Sequence, residues 1–502
     1  MGYFCAVVSR CIHNACFTPC FLRWRQKLLC MGKLKKDFLH LILIVCMLPL
    51  LIACSSNAND MPETAVYYST NASEQATAQV QDASVEDVRA LAVTASMSPD
   101  RRFPSVYINT TTGLEIRSRT DWHGAVFAAA GMSGEYNFAG ATGRVRGRGN
   151  STWGMEKRPY RIRFDEPRAM FDAGHKATDW NLIANHSDQS FFRHYSAYHL
   201  GGLLDGLVCT PWARFVNLYI NGRYEGVYML TIQVEGGPGR VELERNFAPH
   251  YSEFLFQLDM RQPENSNNVE GVDFITVDGL HYQIRYPRGR HLTPAHVEYL
   301  RDYITRVNRG IRSRDPAVFE LLDLPSFVDF YIVQELYKDQ DGGRFSVFLT
   351  IRGRGDDRRM YMGPVWDFDI SAGNCYYQGQ RGHSLDGIEH PYGYSPQGLF
   401  IAYENRWYRY LMSMPEFRRL VVTRWNEVRF VEVAATIDHI RIMGRHYESA
   451  FERNFERWPI LGRSVWPNPS NIASIDTYIG HVEHLANWLE ERSIWLSRHF
   501  ND

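Results

Sequence analysis

Three short stretches of this chain combine residue types that could do chemistry. The first runs Arg146-Gly-Arg-Gly-Asn-Ser-Thr-Trp153 and continues into Lys157-Arg-Pro-Tyr-Arg-Ile-Arg-Phe164. Gly147 and Gly149 permit close backbone approach, while Arg148, Asn150, Ser151 and Lys157 surround them with donors and positive charge. Such a loop can cradle phosphate through N–H groups and cations. It is not a Walker A loop, because the glycine–lysine pair is missing. A tight β-turn with a solvated basic face is the plainer reading of the same residues.

The second stretch is Gln334-Glu-Leu-Tyr-Lys-Asp-Gln-Asp341. Asp339 and Asp341 resemble the opening of a calcium-binding EF-hand loop, but the loop glycine and closing glutamate are not where calcium needs them. A carboxylate at a helix end beside a strand instead suits a base or a metal ligand, against the alternative of solvated helix-end acids. The third is Pro364-Val-Trp-Asp-Phe-Asp-Ile-Ser-Ala-Gly373. Asp367 and Asp369 alternate with large aromatics at a strand end, and hard oxygen donors on such a turn suit Mg²⁺ or Mn²⁺. Otherwise the two aspartates would only bond backbone N–H groups.

Lysine usage adds weight to two positions. Beyond Cys54 the chain carries only Lys157, Lys176 and Lys338 against many arginines. A position that keeps lysine in such a background points to a need for a compact ammonium rather than a planar guanidinium. Lys157 and Lys338 are marked on that ground.

The elements that must hold these residues follow from periodicity. Ser105–Thr110 has strand composition, and Thr112-Gly113 offers a turn. Strands are expected over 143–148 and 159–164, where Tyr160, Ile162 and Phe164 alternate with Arg161 and Arg163. Residues 189–204 read as a helix. Val216 to Thr231 reads as a hairpin turning at Asn221-Gly222, with further strands near 253–258 and 281–286. From Thr293 the pattern turns helical. Ser326-Phe-Val-Asp329 matches a capping box opening a helix that buries Phe330, Tyr331 and Tyr337. A second hairpin pairs 347–351 with 360–365 around a turn at 353–357. The remainder is mainly helical and ends with Leu485, Trp488, Leu489 and Leu496 on one face. A β-rich first half and a helix-rich second half, with no internal repeat, would suit two lobes facing a cleft.

Composition excludes several classes. Aromatics make up 14% of the chain and the formal net charge is −1. A large core is therefore feasible, and the balance of charge gives no nucleic-acid surface. After Cys54 only Cys209 and Cys375 remain, too few for a disulfide framework. The two could form one bridge or stay as buried thiols, and no zinc spacing is present.

The N-terminus is an address rather than a fold. Lys33, Lys35 and Lys36 form a basic segment, and the apolar run from Phe38 to Ile52 is short for a spanning helix and right for a signal. It ends in Leu51-Ile52-Ala53-Cys54, which resembles a lipoprotein lipobox. Residues 1–30 are expected to be an over-long start, 31–53 a lipoprotein signal peptide, 54–102 a polar tether and 103–502 the functional domain. Cys54 would carry the lipid, placing the domain at the cell envelope, on the outer membrane or cell surface.

Taken in order, the motifs resemble the spore coat protein H (CotH) kinase-like family. The resemblance runs from about Phe103 to Phe500. It rests on Arg-Gly-Asn-Ser-Thr-Trp (148–153) with Lys157, Asn181-Leu-Ile-Ala-Asn with Asp188 and Arg193, Asn221-Gly with Gly226-Val-Tyr228, and Trp366-Asp-Phe-Asp369. Arg424-Trp425 and Trp488-Leu489 before Arg492 fit as well. The resemblance implies an α+β chain with a divergent bilobal protein-kinase-like fold, transferring the ATP γ-phosphate to serine hydroxyls of envelope or surface proteins. It implies that Arg148, Gly149, Asn150 and Ser151 sit over the phosphates, that Lys157 pairs with the α/β-phosphates, and that Asp341 orients and deprotonates the acceptor. Asp367 would hold Mg²⁺ or Mn²⁺, with Asp369 assisting.

Two positions depart from the family pattern. Ser346 stands where relatives carry an asparagine metal ligand, and Ile232 where many carry a glutamate. Gln233, Glu235 or Asp339 are the residues that could compensate. A non-catalytic relative that binds nucleotide, glycan or protein is the second reading, favoured by the scarcity of ATP outside the cytoplasm. A surface adhesin is the third.

The lipobox reading has a direct test. Cys54→Ala should abolish labelling by a fatty-acid analogue and release the protein into the soluble fraction or stall its processing. Persistent labelling of that variant would sink the reading.

Overall fold

The computed structural model describes residues 103–131, 136–237, 239–260, 268–376 and 393–501. The signal, Cys54 and the tether lie outside the described residues. Seven strands of the first half close on themselves: β1 (Ser105–Thr110), β2 (His123–Ala130), β3 (Phe138–Gly147), β4 (Tyr160–Arg168), β5 (Ala177–Ile183), β6 (Ala213–Ile220) and β7 (Arg223–Ile232). They form a barrel in the order β1-β2-β3-β4-β5-β7-β6. Neighbours are antiparallel except β1 and β6, whose parallel pairing sets Ser105 opposite Asn217 and closes the ring. Closure leaves no unpaired strand edge.

Alternating side chains make the barrel possible. Ile162 and Phe164 point into a core shared with Phe127, Trp180 and Leu230, while Arg161 and Arg163 point out to Asp179. The β6–β7 turn is the expected two-residue one, with φ of 48° at Asn221 and 77° at Gly222, the left-handed pair that matches strand twist. Asn221 also accepts a hydrogen bond from the Thr110 N–H at 2.9 Å, tying the hairpin to β1.

The expected helix over 189–204 is shorter. Phe191 has φ 67°, so α1 begins at Phe192 and ends at Leu203. The second half holds an antiparallel sheet of β8 (Phe254–Leu258), β9 (Phe274–Val277), β10 (Leu280–Tyr286), β11 (Val347–Arg352) and β12 (Arg359–Met362), in the order β12-β11-β8-β10-β9. The helices α2 (Pro294–Ser313) and α3 (Leu324–Tyr337) pack on it, and α4 (Pro415–Val428), α5 (Ala434–His446), α6 (Glu448–Arg457) and α7 (Tyr478–Asn501) follow, α6 lying against β7 of the barrel. Leu485, Trp488, Leu489 and Leu496 of α7 are buried as their spacing required. The chain is therefore α+β, β-rich first and helical later. Cys209 and Cys375 are not joined in a disulfide. Among the described residues no helix is long and apolar enough to cross a membrane.

One expectation needs correction. The cap of α3 is Asp323, whose carboxylate accepts from the Ser326 N–H at 3.0 Å, so Ser326 lies inside the helix. Pro325 in the first turn explains the shift, because a proline's missing N–H costs nothing there. Asp329 does not cap. It accepts from Arg424 of α4 at 2.8 Å and from the Gly206 N–H at 2.8 Å, joining three segments.

Lys338 ends α3 in the left-handed conformation, with φ 48°. It is fully buried and donates to the carbonyls of Ser395 and Gln397. Beside it Glu335 pairs with Arg492 of α7 at 2.6 Å and accepts from the Phe400 and Ala402 N–H groups. Lys338 is thus a clamp for the chain before Phe400. Burial, then the Arg492 charge, depresses its pKa to about 7 from 10.5. Its burial penalty is fully present below pH 7 and fades as pH rises towards the unfolded value. The melting temperature of Lys338→Met relative to the parent should therefore be more favourable at pH 6 than at pH 9.5. A difference independent of pH would rule this out.

Candidate active site

A cavity of about 310 Å³ collects nearly every chemistry-bearing residue expected from the sequence. Arg148, Gly149, Asn150, Ser151, Thr152 and Lys157 line it together with Asp341, Ser346, Asp367 and Asp369. His186, His194, Gln233, Gln257, Asp259, Gln283 and Arg285 also contribute walls.

The glycine loop leaves β3 at Gly147 and makes a single 3₁₀ turn at Ser151–Gly154. Its two glycines are steric necessities. A Cβ at Gly147 would lie 2.2 Å from the Trp153 ring, and Gly149, at φ 83°, would meet Thr152 Oγ1 at 2.2 Å. Arg119 holds the loop by donating to the Gly149 carbonyl at 2.8 Å and to Asn150 Oδ1 at 3.3 Å. Burial lowers the pKa of Arg148, and the charges of Asp367 and, more weakly, Asp369 act against that. The loop's guanidinium and these carboxylates are therefore close enough to feel each other's charge.

Lys157 is 1% exposed. Its ammonium donates to the Val227 carbonyl and to Asn454 Oδ1 at 2.8 Å, and lies 4.9 Å and 4.7 Å from the ring centres of Phe191 and Tyr228. Among the described residues no carboxylate is within salt-bridge distance of it. Burial pulls its pKa well below the usual lysine range, only partly offset by Glu225. Asn454, on α6, also accepts from the Val227 N–H at 3.0 Å. Gly226 makes room for it, since a Cβ there would stand 2.4 Å from Asn454 Oδ1.

None of the suggested substitutes for the missing glutamate partners this lysine. Ile232 is buried in the barrel core. Gln233 accepts from Asn181, and Glu235 is bound by Arg161 and Arg240. Asp339 lies under Asp341, accepting its N–H at 3.2 Å.

The two aspartate turns are stitched together by backbone bonds. The Gln340 N–H donates to the Ile370 carbonyl at 3.0 Å, and the Ala372 N–H to the Tyr337 carbonyl at 2.6 Å. Asp341 itself begins a turn in which the Arg344 and Phe345 N–H groups return to its carbonyl. Asp367 adopts φ 72°, a left-handed conformation uncommon outside glycine. Its Oδ2 accepts from Ser346 Oγ at 2.8 Å, and its Oδ1 stands 3.8 Å from His194 Nε2. Burial raises its pKa, but His194, Ser346 and Arg148 outweigh that and hold it at about 2. Asp369 moves the other way, to about 6, through burial and the Asp367 charge. Burial and the Asp341 charge push Asp339 well above the carboxylate range.

His194, Asp367 and Asp369 each offer a ligand atom, all within 4.8 Å of one another. Two carboxylates and one imidazole at that spacing fit a divalent cation. His194 and Asn454 were not foreseen. Neither sits in a recognisable spacing pattern, and each meets its partners only through distant chain segments.

Arg193, next to His194, anchors the cluster. It forms a buried ion pair with Asp188 at 2.5 Å and donates to the carbonyls of Ser371 at 2.9 Å and Ala372 at 3.1 Å. Asp188 also accepts from the Ser190 and Arg193 N–H groups.

Barrel, sheet and cavity together define an α+β protein with a basic glycine loop facing a carboxylate cluster. The chain belongs to the CotH kinase protein family, whose model matches residues 145–496, more than half of its length. A comparison with curated proteins finds no match.

Removing one partner of a buried pair strands the other charge. Asp188→Asn should therefore cost about 3–5 kcal/mol, read as a lower denaturation midpoint. An unchanged midpoint would show that Arg193 does not depend on this carboxylate.

Proposed function

We propose that this protein is a CotH-type kinase that transfers the ATP γ-phosphate to serine hydroxyls of envelope or surface proteins. One observation carries the reading: a single cavity brings the glycine loop and Lys157 opposite Asp341, Asp367 and Asp369. The barrel would take the place of a kinase's phosphate-binding lobe, and the sheet-and-helix half that of its catalytic lobe. The lipid on Cys54 would hold the domain at the envelope.

In this reading Arg148 and the loop N–H groups take the phosphate oxygens. Lys157, an ammonium held only by neutral acceptors and rings, gains the anionic partner it lacks among the described residues. Asp341, half-buried at the cavity wall, receives the proton of the acceptor serine as its oxygen attacks the γ-phosphorus. The bond from that phosphorus to the bridging oxygen breaks, and ADP leaves. Asp367 and Asp369 would hold Mg²⁺ or Mn²⁺, which supplies charge neutralisation on the phosphates when bound.

The non-catalytic reading keeps one specific support. Ser346, in place of an asparagine ligand, spends its hydroxyl on Asp367.

Incubation with labelled ATP, a divalent ion and candidate envelope proteins separates the two. Asp341→Asn should lower phosphoryl transfer by about 10²–10⁴-fold while leaving nucleotide affinity nearly intact. Transfer that survives undiminished would remove Asp341 from the mechanism, and no transfer by the parent would favour the non-catalytic relative. Asp367→Asn should weaken metal–nucleotide binding with little change in melting temperature, because Asn keeps the shape. A collapse in melting temperature would make Asp367 a structural hub instead.

A further inference from the structure

The carboxylate pair has a third neighbour of different chemistry. His194 lies in the first turn of α1, is 2% exposed and lines the cavity. Its Nε2 faces Asp367 Oδ1 at 3.8 Å, longer than a hydrogen bond. Its Nδ1 is buried with no hydrogen-bond partner among the described residues. Its Nε2, the nitrogen turned to the carboxylates, is the one placed to coordinate, with the proton of the neutral ring on Nδ1. One of its ring nitrogens lies within 4.8 Å of a carboxylate oxygen of both Asp367 and Asp369.

The spacing suits coordination better than direct pairing. Ligand atoms about 2.1–2.3 Å from one cation stand roughly 3–4.5 Å apart. The 3.8 Å separation falls in that range, and the group as a whole lies within 4.8 Å. The backbone that carries the ring is also tied to the carboxylate turn. Arg193, one residue before it, is fixed by Asp188 and grips the carbonyls of Ser371 and Ala372 just beyond Asp369. The imidazole and the two carboxylates are thus positioned by one buried network.

We infer that His194 is a metal ligand, making the centre a mixed nitrogen–oxygen site that takes Mn²⁺ in preference to Mg²⁺. The inference rests on the proposed metal role of Asp367 and Asp369 and goes beyond it by naming the third ligand and the ion. Mg²⁺ favours all-oxygen shells and sheds water reluctantly, whereas imidazole nitrogen is a good ligand for first-row transition ions. Ser346 fits the same arrangement: its hydroxyl holds one Asp367 oxygen at 2.8 Å, leaving the other towards His194.

The test reads the metal rather than the reaction. Full-length protein is loaded with Mn²⁺, with and without ATP, and examined by pulsed electron paramagnetic resonance. A coupling to ¹⁴N is expected, converting to the ¹⁵N pattern when the protein is made with ¹⁵N-histidine. Titration calorimetry should show Mn²⁺ binding at least about tenfold tighter than Mg²⁺, and His194→Gln should erase both the coupling and most of that preference. The spectrum of the parent needs no variant to fold, so it decides the matter alone. Mn²⁺ bound without nitrogen coupling would overturn the role of His194 while leaving the carboxylate site standing. Failure of the parent to bind either ion, with or without ATP, would overturn the metal reading and this inference with it.

Discussion

Asp188 and Arg193 lie five residues apart, both almost wholly removed from water, and their ion pair holds the rest of the site in register. The pair is costly to bury, so it persists only because its remaining hydrogen-bonding capacity is used. Asp188 spends its other lone pairs on the N–H groups of Ser190 and Arg193 and on the Ser190 hydroxyl. Arg193 spends its other donors on the Ser371 and Ala372 carbonyls, across 178 and 179 positions of sequence. The start of α1 is thereby bolted to the turn that follows Asp369. The Gln340–Ile370 and Tyr337–Ala372 backbone bonds then carry the constraint on to the Asp341 turn. Rigid placement of charge is what phosphoryl transfer asks of a protein, since positioning and electrostatics do most of its work.

What could be read from the sequence was local. The alternation of Tyr160, Ile162 and Phe164 with arginines announced a strand with one buried face, and Asn221-Gly222 announced its turn. Gly147, Gly149, Asp367 and Asp369 stood out because their spacing constrains their own neighbourhoods. The closed barrel was not legible, because closure depends on the parallel pairing of β1 with β6, which no short-range pattern encodes. The cap of α3 was misplaced by three residues: Ser326 and Asp329 fit the local template, but Asp323 precedes a proline-containing first turn and Asp329 is drawn off by Arg424. His194 and Asn454 carry no local signal at all. Their partners lie 173 and 297 positions away, the first from 194 to 367 and the second from Lys157.

The two departures from the family pattern look different once placed. Ile232 faces the barrel core, where a glutamate would bring an unpaired charge among Trp180, Leu230 and other apolar side chains. The lysine it was expected to serve is instead held by an amide from α6, and Gly226 is bare so that this amide can approach. An amide fixes the ammonium in place without neutralising it. On the proposed reading that would leave Lys157 with more of its charge to offer a phosphate than a carboxylate partner would, at the expense of a proton affinity lowered by burial. Ser346 would give up a ligand position on the same reading, but its hydroxyl holds the carboxylate of Asp367, whose left-handed backbone already limits where that group can point.

Charge balance across the cavity explains why these parts belong together. The lining joins Arg148, Lys157 and a glycine loop to Asp341, Asp367 and Asp369, with Asp339 buried beneath Asp341. Burial first, and then the charge of a neighbouring aspartate, makes Asp369 and Asp339 hold their protons more tightly, while His194, Ser346 and Arg148 keep Asp367 ionised. On the proposed reading, a phosphate chain entering alone would meet favourable cations but also the field of Asp367. A divalent cation entering alone would satisfy the aspartates while repelling Arg148. Entering together, the two ligands neutralise each other and both walls at once, so each strengthens the binding of the other. On that reading the electrostatics of the cavity itself would couple the binding of metal and nucleotide.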